Sequence, residues 1–169
     1  MQDRRTYRVS VSKDYLVFAA AHFITFAGHQ CEPLHGHNYR VGIALEGALD
    51  GESWYVVDFS VVKSILRRLC DEIDHKMLLP TRNPRLRFGQ SDGSVTVALD
   101  GKPKYVFPVE DCALLEIPNT TVEMLAEHLA RRTLGALVEA GVTSLTMIEL
   151  EVEESFGQSA TYRELIDAR

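Results

Sequence analysis

Apolar and polar positions alternate in several short segments of the chain, and this period of two predicts β-strands. Apolar and polar side chains alternate at residues 7–11, and a second strand-like segment, residues 17–22, follows the turn-like residues 12–14. This arrangement predicts an antiparallel hairpin. A second pair of strands is predicted at residues 39–45 and 55–59. The chain is therefore expected to begin with antiparallel sheet.

Two later segments change to helical periodicity. Ser60 is predicted to cap the first helix, which ends near residues 74–75. The spacing Thr120-x-x-Glu123 is typical of a capping box and predicts the start of the second helix, and Gly141 predicts its end. Apolar positions recur every three or four residues at Val61, Val62, Ile65, Leu66, Leu69 and Ile73, and at Val122, Leu125, Ala126, Leu129, Leu134 and Leu137.

The end of the chain returns to strand periodicity. A strand is predicted at residues 145–153 and a short edge strand around residues 160–162. By alternation, Glu154 extends the apolar face of the first of these strands, whereas Glu151 and Glu153 belong to the other face. The alternative is that all three carboxylates lie on a solvated surface.

Residues 80–118, between the two helices, are predicted to be an insertion. Their hairpin comprises residues 95–99, the turn dipeptide Asp100-Gly101 and residues 104–108. The order of elements predicts an α+β fold with a four-stranded antiparallel sheet, two helices on one face, and the inserted hairpin. The length predicts a single domain, residues 1–169.

Composition narrows the class of function. The net charge of −6, without long basic runs, argues against nucleic-acid binding. No apolar run approaches the roughly 20 residues that a membrane-spanning helix needs. Three cysteines without a CxxC pair do not suggest a disulfide framework, and the first six residues lack an apolar signal core. A cytoplasmic location is therefore predicted.

Three histidines form the most informative pattern in the sequence. His35 and His37 flank a glycine, so in a strand their side chains point to the same face and can share one ion. His22 can supply a third nitrogen. Three imidazoles with a fourth position open are typical of catalytic rather than structural zinc. A Zn²⁺ site that performs chemistry is predicted.

Six segments of the sequence occur in the order known from one family. They are Phe18-Ala-Ala-Ala-His22, Cys31-x-x-x-His35-Gly-His37-Asn-Tyr, Val57-Asp-Phe59, Ile73-Asp-His75, Asn119-Thr-Thr-Val-Glu123 and Val152-Glu-Glu-Ser155. Over nearly its whole length the chain resembles the 6-pyruvoyl-tetrahydropterin synthase and 6-carboxy-tetrahydropterin synthase superfamily, whose members share the tunnelling fold.

The resemblance implies roles for individual residues. It implies His22, His35 and His37 as zinc ligands, Cys31 as catalytic base, Asp74 and His75 as proton relay, Glu154 as pterin anchor, and Thr121 and Glu123 at the border of the pterin pocket. It also implies a homo-oligomer, with trimers paired into hexamers and active sites between subunits. Each residue has a structural alternative: an inert thiol, a helix end, or a helix cap.

The implied substrate is a small-molecule pterin triphosphate, 7,8-dihydroneopterin triphosphate. A zinc ion would lower the pKa of its side-chain hydroxyls, and a nearby thiolate would take a proton. The three residues between Cys31 and His35 resemble the branch that forms 6-carboxy-5,6,7,8-tetrahydropterin, releasing acetaldehyde and triphosphate on the route to queuosine. The alternatives are a 6-pyruvoyl product, glycolaldehyde release aided by Glu32, or a non-catalytic zinc and pterin-binding protein.

Several other polar residues are predicted to have no part in the chemistry. The basic cluster Arg82, Arg85 and Arg87 is expected to be a solvated loop, with contact to the triphosphate as the alternative. Cys70 and Cys112 are expected to be inert buried thiols. His29 and His128 are expected at the surface.

Overall fold

The computed structural model describes residues 5–28 and 30–167. The first residues, used above to predict location, lie partly outside this range, and so does His29. In chain order the elements are β1 (Tyr7–His22), β2 (His35–Gly47), α1 (Phe59–Ile73), β3 (Lys76–Pro80), β4 (Leu86–Ser91), β5 (Ser94–Leu99), β6 (Lys102–Pro108), β7 (Cys112–Leu115), α2 (Val122–Glu139), β8 (Leu145–Ser155) and β9 (Gln158–Leu165).

The main sheet has six strands in the order β7-β3-β1-β2-β8-β9. Strands β1, β2, β8 and β9 form four antiparallel neighbours, as the predicted sheet type requires, although the predicted partners of residues 7–11 and 39–45 were different. The predicted count of four strands omitted β3, which pairs in parallel with β1, and β7, which pairs in parallel with β3. Both are short apolar segments without the alternation that reveals a half-buried strand. The predicted α+β class is confirmed by the two helices and this mixed sheet.

The predicted opening hairpin is wrong, because β1 is one long strand. Its register against β2 shifts between Ser12 and Val17, so the polar segment is a bulge and not a turn. The strand predicted at 55–59 is also wrong. Asp58 instead caps α1, its carboxylate accepting a hydrogen bond from the Ser60 backbone N at 2.7 Å, so Ser60 is not the cap.

The second helix begins one residue later than the capping-box spacing predicted. Thr121 is the N-cap of α2, and its side chain makes no capping hydrogen bond. Glu123 lies in the first turn, where a carboxylate favours the helix dipole. The predicted stop is confirmed: Gly141 has a φ of 85°, a left-handed conformation that favours glycine.

Two apolar cores lie on opposite faces of the main sheet. Both helices pack on one face and form the larger core. Strands β4, β5 and β6 form a separate antiparallel sheet, which packs on the other side against Phe23, Met77 and Leu79. Because both faces of β3 are covered, its sequence is a continuous apolar run.

The predicted hairpin of the insertion is confirmed as β5 and β6, joined by Asp100 and Gly101 with φ values of 49° and 79°. The third strand, β4, was not predicted.

Among the described residues, no helix combines the length and apolar character required to cross a bilayer.

Candidate active site

Three histidines meet where β1 ends and β2 begins. His22 pairs directly with His35 across the β1–β2 ladder, and His37 lies two residues further along β2 on the same face. Ligand nitrogens of the three side chains lie within 4.8 Å of one another. Among the described residues, this is the one group of three or more metal-ligating side chains. The alternation that predicted this cluster is thus realised in the sheet.

Backbone carbonyls orient two of the imidazole rings. The Nδ1 atoms of His22 and His35 donate to the carbonyls of Thr120 and Pro33, at 2.8 Å and 2.9 Å. The Nε2 atoms are thereby left as free acceptors, 3.2 Å apart. Two nitrogens bound to one tetrahedral zinc ion at ~2.05 Å each would lie about 3.3 Å apart. The residues present therefore fit a shared metal ion.

His22 is fully buried, and burial lowers its pKa. A lowered pKa favours the neutral imidazole, which is the form that binds metals. Thr120 was missed by the sequence reasoning, because a backbone carbonyl leaves no residue-type signal. Its side chain is also engaged, since the Thr120 hydroxyl donates to the Phe23 carbonyl at 3.0 Å.

The two candidate bases beside the histidines point to different surroundings. The Cys31 thiol packs against the core of the inserted sheet and lies 3.5 Å from the Glu32 carbonyl. The Glu32 carboxylate lies 3.7 Å from His35 Nε2, and its Oε2 atom is buried without a hydrogen-bond partner among the described residues. The Glu32 carboxylate is therefore adjacent to the histidine cluster through His35.

Asp74 and His75, which were predicted as a proton relay, contact each other through their side chains. Asp74 ends α1, and its carboxylate accepts hydrogen bonds from Ala19 N at 2.7 Å and from His75 Nδ1 at 2.9 Å. Burial alone would raise the pKa of Asp74, but these hydrogen bonds outweigh it and lower the pKa. His75 adopts a φ of 56°, and its side chain is 82% exposed. Strained backbone at a non-glycine residue is frequent at functional sites.

A cavity of about 960 Å³ adjoins the histidine cluster. His37, His75 and Glu154 all line it, so three residues that were predicted as a metal ligand, a relay residue and the pterin anchor share one cavity. The insertion contributes Phe107 and Asp111 to the wall. A volume of this size is in the range of small-molecule sites.

Tyr39 lies beneath the site and was not singled out from the sequence. Its ring centroid is 5.6 Å from that of His37 and 6.1 Å from that of His22. Burial, followed by the nearby carboxylates of Glu154 and Glu32, raises the pKa of Tyr39. The phenol therefore stays neutral, and its ring packs edge-on against the imidazoles of His22 and His37.

The sequence matches the family model described as 6-pyruvoyl tetrahydropterin synthase over residues 10–165. The chain belongs to this family. A putative 6-carboxy-5,6,7,8-tetrahydropterin synthase from Methanocaldococcus jannaschii is 36% identical over 154 residues, which cover 91% of this chain and 93% of the relative. The 6-carboxy-5,6,7,8-tetrahydropterin synthase of Aquifex aeolicus is 28% identical over 141 residues, 80% of this chain and 77% of the relative.

Solved structures of the family agree with the fold. The 6-pyruvoyltetrahydropterin synthase of Plasmodium vivax has a TM-score of 0.88 and 29% identity, covering 96% of this chain and 99% of its own. Two further structures of the Plasmodium vivax enzyme carry a single glutamate replaced by alanine or cysteine, and both are described as catalytic residue mutants.

Two residues expected from the family at the pterin pocket lie apart from the cavity of the single chain. Thr121 caps α2 and Glu123 is exposed in its first turn, and neither lines the cavity beside His37. Because the family resemblance implies active sites between subunits, their role in substrate binding stays a prediction.

The peripheral predictions had mixed outcomes. Cys70 is buried as predicted, and burial raises its pKa to about 12, whereas Cys112 is only half-buried. His128, expected at the surface, is half-buried, and its Nε2 atom has no hydrogen-bond partner among the described residues. Arg85 was expected in a solvated loop, but its side chain is 18% exposed and forms a two-pronged ion pair with Asp100.

Proposed function

We propose that residues 1–169 form a single zinc-dependent domain with 6-carboxy-5,6,7,8-tetrahydropterin synthase activity. The proposed substrate is 7,8-dihydroneopterin triphosphate, and the proposed by-products are acetaldehyde and triphosphate. The observation that carries the proposal is the convergence of His37, His75 and Glu154 on one cavity, beside a histidine cluster suited to a metal. The names of the curated relatives agree with this reaction.

The proposed metal ligands are the Nε2 atoms of His22 and His35 together with one nitrogen of His37. A zinc ion held there would supply Lewis acidity toward the hydroxyl groups of the substrate side chain. The chain's own contribution is to orient two of the ligand rings through the carbonyls of Thr120 and Pro33. The identity of the ion is tested by metal analysis of protein purified without added metal.

His75 is proposed to exchange protons with the substrate in the cavity, while Asp74 orients its ring. Its Nδ1 atom donates to Asp74, which leaves Nε2 on the exposed ring to exchange a proton with substrate. The Asp74 carboxylate is itself held by Ala19 N, so the ring is anchored to the end of β1. This arrangement supports a relay in which Asp74 orients and His75 transfers.

Glu154 is proposed to bind the pterin ring. A carboxylate can accept two parallel hydrogen bonds from the amino and amide edge of the ring. The other two candidates are engaged elsewhere: Glu153 accepts from Gly157 N at 3.0 Å, and Glu151 accepts from the Ser159 hydroxyl at 2.7 Å. Glu154 alone among the three lines the cavity beside His37.

Cys31 is proposed as the base of the carboxy-forming reaction. A second reaction is favoured by Glu32, whose carboxylate lies 3.7 Å from His35 Nε2. A carboxylate base at this position would instead promote cleavage of the bond between the first two side-chain carbons, releasing glycolaldehyde that still carries the triphosphate. The catalytic glutamate of the Plasmodium vivax enzyme supports this alternative for a chain that carries both residues side by side.

The deciding experiment is product identification by mass spectrometry after incubation of zinc-loaded protein with 7,8-dihydroneopterin triphosphate. Acetaldehyde with the 6-carboxy product supports the main proposal, glycolaldehyde supports the Glu32 reaction, and a 6-pyruvoyl product supports the other branch. Binding without turnover would make the protein a pterin-binding module and reject the enzyme proposal.

Variants assign the base within the same assay. Cys31→Ala should abolish acetaldehyde formation while zinc content stays unchanged, and Glu32→Gln should abolish any glycolaldehyde. Cys112→Ala is the matched control, since this thiol belongs to the same core of the inserted sheet and is half-buried as Cys31 is. Full activity of Cys31→Ala would remove the thiol from the mechanism.

The proposed assembly is a trimer or a hexamer formed from two trimers. Strands β7 and β9 lie at the two edges of the main sheet, and unpaired edges favour pairing with other chains. Light scattering on the purified protein measures the mass directly. A monomer with full activity would reject an active site shared between subunits. The cytoplasmic location stays a prediction.

A further inference from the structure

The chain between His22 and His35 forms a loop that carries both candidate bases. Within this loop, Glu32 N donates to the Ile24 carbonyl at 2.8 Å, and Phe26 N donates to the Gln30 carbonyl at 3.0 Å. Thr25 and Cys31 form an isolated antiparallel bridge. The described part of the loop, residues 23–28 and 30–34, is therefore a narrow hairpin-like turn whose own hydrogen bonds are few.

The insertion holds this loop from outside. Arg85, which precedes β4, donates through Nη1 to the carbonyls of Phe26 and Gln30, at 3.1 Å and 2.9 Å. These carbonyls lie on opposite arms of the loop, so one guanidinium group bridges the two arms. The Gln30 carbonyl belongs to the residue directly before Cys31.

Asp100 fixes the guanidinium group in this position. Its Oδ1 and Oδ2 atoms accept from Arg85 Nε and Nη2 at 3.1 Å and 2.7 Å, and its backbone N donates to the Arg85 carbonyl at 2.9 Å. Asp100 stands in the β5–β6 turn. A two-pronged pair fixes orientation as well as distance. Four of the five guanidinium N–H groups of Arg85 thus have an acceptor, two of them on Asp100 and two on the loop carbonyls.

Asn83 makes a second connection between the insertion and the same loop. Its side chain is buried, and Nδ2 donates to the Thr25 hydroxyl and the Pro118 carbonyl, both at 2.8 Å. Its Oδ1 atom accepts from Arg85 N at 3.0 Å. Asn83 thus joins the base-carrying loop, the start of the insertion and its end.

We infer that Arg85, held by Asp100, is a positioning residue that fixes Cys31 and Glu32 relative to the histidine cluster. The insertion then acts as an external support for the catalytic loop, and Arg85 itself need not touch the substrate. The expected effect of Arg85 on turnover rests on the proposed function. Its expected effect on the conformation of the loop between His22 and His35 does not.

The first test measures the loop without substrate. Arg85→Ala should increase hydrogen exchange at the described amides of residues 24–32 by at least about tenfold, with α1 and α2 unchanged. It should also change the alkylation rate of Cys31 by iodoacetamide, measured in a Cys112→Ser background. Arg87→Ala is the matched control, because among the described residues Arg87 donates to the carbonyls of Pro84 and Leu86, both in its own segment. Unchanged exchange and alkylation in Arg85→Ala would overturn the inference.

The second test measures the reaction. Arg85→Ala should lower kcat by about 10-fold to 100-fold with KM changed less than about threefold, because displacement of a base by about 1 Å costs roughly this factor. Asp100→Asn keeps the carbonyl contacts of Arg85 and should show a smaller decrease in kcat, and it also serves if Arg85→Ala fails to fold. Equal loss of kcat in Arg87→Ala, or a change in KM alone, would overturn the positioning role.

The two tests separate two kinds of failure. If the wild-type protein does not turn over the pterin triphosphate, the proposed function fails while the exchange and alkylation results still decide the role of Arg85. If the wild type is active and Arg85→Ala keeps both kcat and loop protection, the positioning role fails and the proposed function stands.

Discussion

His22 and His35 face each other across the β1–β2 ladder with their Nε2 atoms 3.2 Å apart. Both rings donate through Nδ1 to a carbonyl, so in two neutral rings the Nε2 lone pairs face each other. A metal ion bound by both nitrogens would remove this repulsion. The pair is thus suited to a shared metal ion.

Replacement of His35 by alanine should therefore lower metal affinity by at least about 100-fold, more than is typical for loss of an outer hydrogen-bond partner. Metal content after dialysis against a weak chelator measures this effect. His75→Ala is the control, because His75 lies outside the ligand group and should keep one metal ion per chain. Equal retention of metal in both variants would refute the three-histidine site.

Replacement of Glu154 should weaken pterin binding without affecting the metal. Loss of a charge-assisted hydrogen-bond pair costs about 1.5–3 kcal/mol, so Glu154→Gln should raise the Kd for a pterin about 10-fold to 100-fold. Quenching of pterin fluorescence measures the affinity. Glu153→Gln is the matched control at the adjacent carboxylate and should bind the pterin with unchanged Kd. A larger increase in Kd for Glu153→Gln than for Glu154→Gln would assign the pterin anchor to Glu153 instead.

Replacement of His75 should separate stability from activity. With a φ of 56°, residue 75 is in the left-handed region, which glycine adopts at lower cost than other residues. His75→Gly should be more stable than His75→Ala by about 1 kcal/mol in urea unfolding, since both lose the contact with Asp74. Both variants should lose turnover alike. Turnover at the wild-type rate in either would exclude His75 from the relay.

The free energy of unfolding should fall as the solution becomes acidic, partly because of His128. Burial, and then the charge of Arg132, lowers the pKa of His128 below its ordinary 6.5. The His128 imidazole takes up a proton near pH 6.5 in the unfolded chain but only at lower pH in the folded chain. Its contribution to the free energy of unfolding is therefore complete above pH 6.5 and decreases below it. This group contributes a slope of at most about 1.4 kcal/mol per pH unit.

Urea unfolding of metal-free protein between pH 7.5 and pH 5.5 tests this prediction. His128→Gln removes the titrating group and should reduce the slope of stability against pH. A slope that is unchanged in His128→Gln would show that other groups cause the pH dependence.

Much of the candidate site was predictable because it depends on short-range geometry. His35 and His37 share a face through strand alternation, and their separation in sequence is enough to predict it. The end of α1 at Asp74 and the turn at Asp100-Gly101 follow from equally local signals. The signal for each of these features lies within a few residues of the feature itself.

The missed features depend on contacts between distant segments. The polar segment after Ser12 has the composition of a turn, and only its pairing with β2 makes it a bulge. Arg85 has the sequence context of a solvated loop, and its burial follows from Asp100 and from carbonyls about 55 residues earlier in the chain. Glu32 was noted only as an alternative, because the direction of its side chain is set by the fold of the whole loop.

The two-sided burial of β3 limits how the protein can be shortened. Its Leu78 side chain packs under the helices, while Met77 and Leu79 pack under the inserted sheet. A chain cut down to the main sheet and helices would expose Met77, Leu79 and Phe23 as an apolar surface beside the cavity. Such a truncated protein should self-associate, so for engineering purposes the insertion is an obligatory part of the scaffold and not a removable module.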